Sequence, residues 1–125
     1  MVKPIAVNHT VPTVGYLVSD GQATFLYSGD TFETEELWHV ASSIPSLKAA
    51  FIETSYPDEM GDLAARSKHL TPSLLAKEVQ KLNRDDVPIY VYHMKPRYRG
   101  RIISQLQQLG LPQIRVLEEG QEIVL

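Results

Sequence analysis

The sequence predicts an α/β domain, in which short apolar strands alternate with amphipathic helices and a β-hairpin lies at each end of the chain. Three observations lead there. Asp20-Gly21, a dipeptide that accepts the positive φ of a tight turn, separates two runs rich in β-branched and aromatic residues. Lys48 to Ile52 is a short, nearly continuous apolar run, the pattern of a strand buried on both faces. Between the strand-like runs lie stretches whose apolar residues recur at helical spacing.

The elements follow in order. Gly15 to Ser19 and Ala23 to Ser28 form the two arms of the first hairpin. Gly29-Asp30-Thr31 then breaks the strand. A helix runs from about Glu33 to Ile44, with Leu37, Trp38, Val40, Ala41 and Ile44 on one face, an acidic first turn and Pro45 at its end. After the strand Lys48 to Ile52 comes a polar loop, Glu53 to about Lys68, with a short helix over Leu63 to Ser67. Thr71-Pro72 pairs an N-cap side chain with proline at the first helical position, and Leu74, Leu75, Val79 and Leu82 give that helix its apolar stripe. Pro88 to Tyr92 is the next strand. A helix from about Tyr98 to Leu109 turns Ile102, Ile103, Leu106 and Leu109 inward and stops at Gly110. Ile114 to Leu117 and Glu122 to Leu125 close the chain as two short strands around Glu118-Glu119-Gly120. The order is β-β-α-β-α-β-α-β-β, which requires some parallel pairing.

Composition bounds the function. The 125 residues suit one domain, 1–125, and 43% hydrophobic with 22% charged residues is ordinary globular usage, which excludes disorder. No apolar run approaches the roughly 20 residues of a bilayer span. Met1-Val2-Lys3-Pro4 has no signal-peptide pattern. With no cysteine there is neither a disulfide framework nor a thiolate metal site. A net charge of −3 argues against a general nucleic-acid surface. The expectation is a soluble, cytoplasmic domain that binds neither membrane nor DNA.

Five side chains fall where strands or helices run out: His9, Asp30, Glu53, His69 and His93. In open α/β sheets that edge is where ligands bind, and imidazole and carboxylate are ligands that divalent metals favour. Taken singly each has a plainer reading. His9 would cap a turn, Asp30 a helix, Glu53 would be a solvated loop acid, His69 a helix-entry residue and His93 a satisfied core histidine. The argument for chemistry is their recurrence at one edge. His39 lies mid-helix beside Trp38 and reads as a surface or packing histidine. Asp85-Asp86 reads as solvated. Lys95, Arg97, Arg99 and Arg101 form either a solvated helix start or a phosphate-binding edge.

The series His9-Thr10-Val11-Pro12-Thr13-Val14-Gly15-Tyr16, Tyr27-Ser28-Gly29-Asp30-Thr31, Glu53-Thr54-Ser55-Tyr56, His69-Leu70-Thr71-Pro72 and His93-Met94-Lys95-Pro96 resembles the C-terminal half of the metallo-β-lactamase superfamily. It is most similar to class II 3′,5′-cyclic-nucleotide phosphodiesterases, with ribonuclease Z as a near relative. The resemblance implies half of an αββα sandwich: a mixed sheet with helices on one face. It implies His9, Asp30 and His93 as metal ligands, Asp30 bridging two divalent cations, zinc or else manganese. It also implies His69 as general acid, oriented by Glu53, with Lys95 or Arg97 near the substrate phosphate. The implied reaction opens a cyclic nucleotide, cAMP or cGMP, to its 5′-monophosphate.

Two departures separate the chain from ribonuclease Z. That family has His-Glu-Ala-Thr where this chain has Ile52-Glu53-Thr54-Ser55, and serine where this chain has Leu70. A third concerns the superfamily: its first metal motif, His-x-His-x-Asp-His, is absent. The expectation is a fragment, a mistaken gene start or one piece of a split protein. Alone it would bind metal weakly and hydrolyse little or nothing. It would then self-associate, as a non-catalytic binding or dimerisation module, or join an absent N-terminal half. A phosphoreceiver domain is disfavoured, because no acidic pair follows the first expected strand.

Overall fold

Asp20 makes the first turn. Its carboxylate accepts the backbone N–H groups of Ala23 at 2.9 Å and Gln22 at 2.8 Å, while Gly21 takes a φ of 96°. Those same bonds, Ala23's first, hold the Asp20 carboxyl below its usual range. The computed structural model describes residues 1–125. Its strands are β1 (Val2–Val7), β2 (Thr13–Ser19), β3 (Thr24–Tyr27), β4 (Leu47–Glu53), β5 (Ile89–Tyr92) and β6 (Ile114–Val116). Its helices are α1 (Glu36–Ser42), α2 (Gly61–Ser67), α3 (Pro72–Gln80) and α4 (Arg99–Gln108), with 3₁₀ turns at Asp58–Met60 and Pro96–Tyr98. Thr71 caps α3 as expected, its hydroxyl accepting from the Leu74 N–H.

The six strands form one mixed sheet in chain order. The pairs β1–β2 and β2–β3 are antiparallel, and those from β3 to β6 are parallel. Alternation gives the sheet two unlike faces. On one, Ile5, Leu17, Leu26, Ala50, Ile52, Ile89 and Val91 pack with Leu37 and Trp38 of α1, Leu75 and Val79 of α3, and Ile102 and Leu106 of α4. On the other, a single row runs in register across all six strands: Pro4, Tyr16, Tyr27, Phe51, Tyr90 and Arg115. Phe51 stacks on Tyr90 at 5.4 Å and Tyr27 on Tyr92 at 5.2 Å. Of these aromatic side chains Tyr90 is buried, Phe51 and Tyr92 are half-buried, and Tyr16 and Tyr27 stand exposed. This is an α/β chain with a mixed sheet and helices on one face, as expected.

Four expectations need correction. Val2–Val7 is a strand with no counterpart in the predicted order. It is an edge strand with only Ile5 buried, and Pro4 is tolerated there because an edge has backbone groups with no ladder partner. The expected strand Glu122 to Leu125 does not form. After β6 the Gln121 N–H bonds back to the Glu118 carbonyl, and the tail leaves the sheet with Val124 95% exposed. The chain therefore has a hairpin at its first end only. The first helix is shorter than Glu33 to Ile44, because Glu78 captures the Thr34 N–H at 2.8 Å and holds that segment out of the helix. Finally, β4 is buried on both faces only in part: Ala49 and Glu53 are buried on the side of Phe51, but Phe51 itself is half-buried and Lys48 exposed. No helix is long and apolar enough to cross a membrane.

Candidate metal centre

Two glycines bring the site's first loops together. A Cβ on Gly15 would lie 2.6 Å from the Tyr27 carbonyl oxygen and 2.9 Å from that of Ser28, so only glycine lets β2 approach the end of β3 this closely. Gly29 has φ of 62°, and a Cβ there would lie 2.9 Å from the Val14 carbonyl oxygen. Asp30 follows at once and projects from the end of β3. It is no helix cap, since α1 begins only at Glu36.

His9 sits in the loop between β1 and β2, opposite Asp30. Its Nδ1–H donates to the Lys68 carbonyl at 3.0 Å. Lys68 ends α2 in the left-handed region, φ 55°, which turns that carbonyl toward His9. With Nδ1 protonated, Nε2 of the neutral ring carries a lone pair, and it stands 3.8 Å from Asp30 Oδ2. That gap is too wide for a hydrogen bond. Asn8 ties the two loops together, accepting from Lys68 Nζ at 2.9 Å and donating through Nδ2 to the Glu33 carbonyl at 2.9 Å.

Glu53 ends β4 wholly buried. Its Oε1 accepts from the Thr31 N–H at 3.1 Å and from His69 Nδ1–H at 2.6 Å. Its Oε2 accepts from Ser55 Oγ at 3.0 Å and the Leu70 N–H at 3.3 Å. With four hydrogen bonds accepted, Glu53 holds its neighbours Thr31, His69, Ser55 and Leu70 in place. Through Thr31 it also fixes the loop that carries Asp30. His93 follows β5 in the left-handed region, φ 66°, a strained conformation for a non-glycine residue. Its Nδ1 lies 3.0 Å from Ser55 Oγ and 3.7 Å from Asp30 Oδ1.

All five predicted residues therefore meet at one edge of the sheet. The rings of His9 and His69 are 5.1 Å apart and those of His69 and His93 5.6 Å. His9, Asp30 and His69 place ligand atoms within 4.8 Å of one another, as do Glu53, His69 and His93. Lys95 stands beside the cluster, its Nζ 5.8 Å from the Tyr56 ring, which in turn lies 6.0 Å from His69. Arg97 stacks over Tyr98 at 5.7 Å. Arg99 and Arg101 are committed elsewhere, to Glu118 at 3.2 Å and Glu59 at 3.1 Å. His39 is exposed on α1, the surface position expected of it.

Sequence reading missed Asn8, Thr31, Ser55 and Lys68. Ser55 lies two positions beyond Glu53, so a search for hydroxyls next to the candidate acid would have found it. The Lys68 contribution is a backbone carbonyl, which no sequence pattern advertises. The donor set itself, imidazole and carboxylate oxygen around a gap, fits a divalent cation as part of a coordination shell.

Comparison with known proteins bears on the fold. No family profile matches the chain, and no curated protein matches it. Among solved structures, unliganded yeast PDE1 is 24% identical, with a TM-score of 0.73 over 92% of this chain and 42% of its own. The metallo-beta-lactamase fold protein YhfI from Bacillus subtilis is 10% identical, with a TM-score of 0.73 over 96% of this chain and 47% of its own. The short form of human tRNase Z is 16% identical, with a TM-score of 0.64 over 96% of this chain and 41% of its own. The chain carries part of the metallo-β-lactamase fold and spans less than half the length of each of these structures.

Proposed function

We propose, from a chain that carries this part of the fold, that it is the C-terminal half of a metal-dependent phosphodiesterase acting on 3′,5′-cyclic nucleotides. The observation that supports it most is the gap between His9 Nε2 and Asp30 Oδ2, 3.8 Å across, with the other nitrogen of His9 already engaged by a carbonyl. His9, Asp30 and His93 would hold the cation, zinc or manganese. Such a cation, when bound, supplies Lewis-acid assistance at phosphorus and a nucleophile at neutral pH.

The remaining work falls to protein side chains. His69 is aimed by its 2.6 Å bond to Glu53, so a proton on its other nitrogen, Nε2, is the one available for the leaving 3′-oxygen. The buried carboxylate fixes the ring before substrate arrives. Lys95 and Arg97 offset charge on the phosphoryl oxygens from the Tyr56 and Tyr98 side of the site. Three ligand side chains do not complete two coordination shells. We assign the others to an N-terminal half bearing His-x-His-x-Asp-His, seated on the aromatic row of the open sheet face.

The test is metal content and activity, with and without that half. The chain alone is expected to hold substoichiometric zinc and to leave cAMP intact. Joined to an N-terminal half with the missing motif, it is expected to bind two ions and hydrolyse cAMP, with His69→Ala lowering kcat by about 10²–10⁴. Cleavage of precursor tRNA in place of cAMP would move the reading to a ribonuclease Z-like hydrolase. Neither metal nor activity in the joined form, with the chain dimeric by sedimentation, would leave a non-catalytic module.

A further inference from the structure

Ser55 has three polar neighbours and one proton. Its hydroxyl is fully buried, 3.0 Å from Glu53 Oε2, 3.0 Å from His93 Nδ1 and 3.2 Å from His69 Nδ1. The His69 proton is spoken for, donated to Glu53 Oε1 at 2.6 Å. A carboxylate accepts only, so the Ser55 proton goes to Glu53 Oε2, the charge-assisted partner. The oxygen of Ser55 is then an acceptor, and the donor that reaches it is His93 Nδ1–H. Asp30 Oδ1, 3.7 Å from the same nitrogen, is also an acceptor and favours the same proton position.

The backbone of Ser55 is equally fixed. Its N–H donates to the Leu70 carbonyl at 3.0 Å, and its carbonyl accepts from the Lys95 N–H at 3.2 Å. The residue thus stands between the loop that carries His69 and the loop that carries His93.

We propose that Ser55 is a positioning residue: it holds the proton of His93 on Nδ1 and so leaves Nε2 as the donor atom of that ring. A single buried acid then orders two histidines, His69 directly and His93 through the serine hydroxyl. The arrangement at His93 matches that at His9, where a backbone carbonyl takes the Nδ1 proton. This deepens the metal reading given above and rests on it for its functional meaning. Its primary readout is the proton position in the metal-free chain, so the two fail separately.

The experiment is imidazole ¹H–¹⁵N spectroscopy of the full chain, metal-free and with every histidine neutral. In the unsubstituted protein His93 is expected to show a protonated Nδ1 and an unprotonated Nε2. In Ser55→Ala the His93 signals are expected to move toward the Nε2–H form that a free histidine favours. His69 is expected to keep its Nδ1 proton there, because Glu53 is still present. Ser55→Thr, which retains the hydroxyl, is expected to restore His93. Zinc affinity, read by chelator competition, is expected to fall about 10–100-fold in Ser55→Ala and to recover in Ser55→Thr. A His93 protonated on Nε2 in the unsubstituted chain overturns the proposal without any variant. So does a His93 spectrum unchanged in Ser55→Ala. If Ser55→Ala loses its dispersed amide spectrum, the unsubstituted protein and Ser55→Thr decide the matter: a Thr variant with His93 on the Nε2–H form overturns it too.

Discussion

The two faces of this sheet are built from the same strands, residue alternating with residue, yet they end in opposite conditions. Leu26 and Tyr27 are chain neighbours; the first is 0% exposed against the helices and the second 39% exposed on the open side. The contrast is weaker toward the middle of the sheet, where Ala50 is buried beside a half-buried Phe51 and Tyr90 is buried along with Ile89. The helix-covered face is aliphatic and closed. The other is an aromatic row that no helix covers, buried at Tyr90 and exposed at Tyr16 and Tyr27. Exposed aromatic side chains such as Tyr16 and Tyr27 are where the proposed N-terminal half would add a second layer. One face supplies the stability of this chain; the other is the side on which the proposed N-terminal half would sit.

Substitutions can sharpen that contrast, beginning with the largest effect. Leu26→Ala, in the closed face, is expected to lower stability by about 2–5 kcal/mol in urea unfolding. An equal loss from Tyr27→Ala would erase the distinction between faces. Gly15→Ala is expected to destabilise by about 1–3 kcal/mol, since a Cβ there meets two carbonyl oxygens, and to loosen the Asp30 loop along with β2. Glu53→Gln is expected to destabilise by about 1–3 kcal/mol, because an amide places a donor where the buried acid accepts four bonds. The imidazole spectrum of His69 should change with it. Tyr27→Ala is expected to fall within about 1 kcal/mol of the parent in the same unfolding assay. Its effect should appear instead as weaker self-association in sedimentation.

The smallest effect is one of pH. Burial pushes the Tyr92 phenol up, its neighbourhood on the open face notwithstanding. A raised folded value means that the contribution is complete below the ordinary tyrosine range, about 10, and is lost as pH rises above it. The urea midpoint should therefore fall between about pH 9 and pH 11, and Tyr92→Phe should flatten that fall. Lys81 adds in the same direction. Its own burial opposes the charge, but bonds to Glu35 and Glu78 outweigh that and raise it.

Much of this was legible before any coordinates. The Asp20-Gly21 turn, the Thr71-Pro72 helix start and the apolar stripes of α3 and α4 are local signals, decided within a few residues. His9, Asp30, Glu53, His69 and His93 were legible because each stands where an element stops. What escaped was of two kinds. Edge elements escaped because their pattern is weak: β1 has a single buried residue and contains a proline, while Glu122 to Leu125 has strand-like residues and no partner. Supporting contacts escaped because they join distant positions, as when Lys68 turns a carbonyl to a histidine 59 residues away.

The sequence by itself determined most of the inner strands and the helices, though not the edge strands, along with which side chains have metal-binding or acid–base capacity and that these gather at one end of the elements. Those are matters of period, turn chemistry and ligand type, all carried by near neighbours in the chain. Only the tertiary structure decided that His9 Nε2 faces Asp30, that Glu53 accepts four hydrogen bonds, that Ser55 lies between two histidines, and that one face of the sheet has no helix over it. Each depends on where a proton, a carbonyl or a neighbouring layer lies in space, and the strands and loops that bring them there are far apart along the chain.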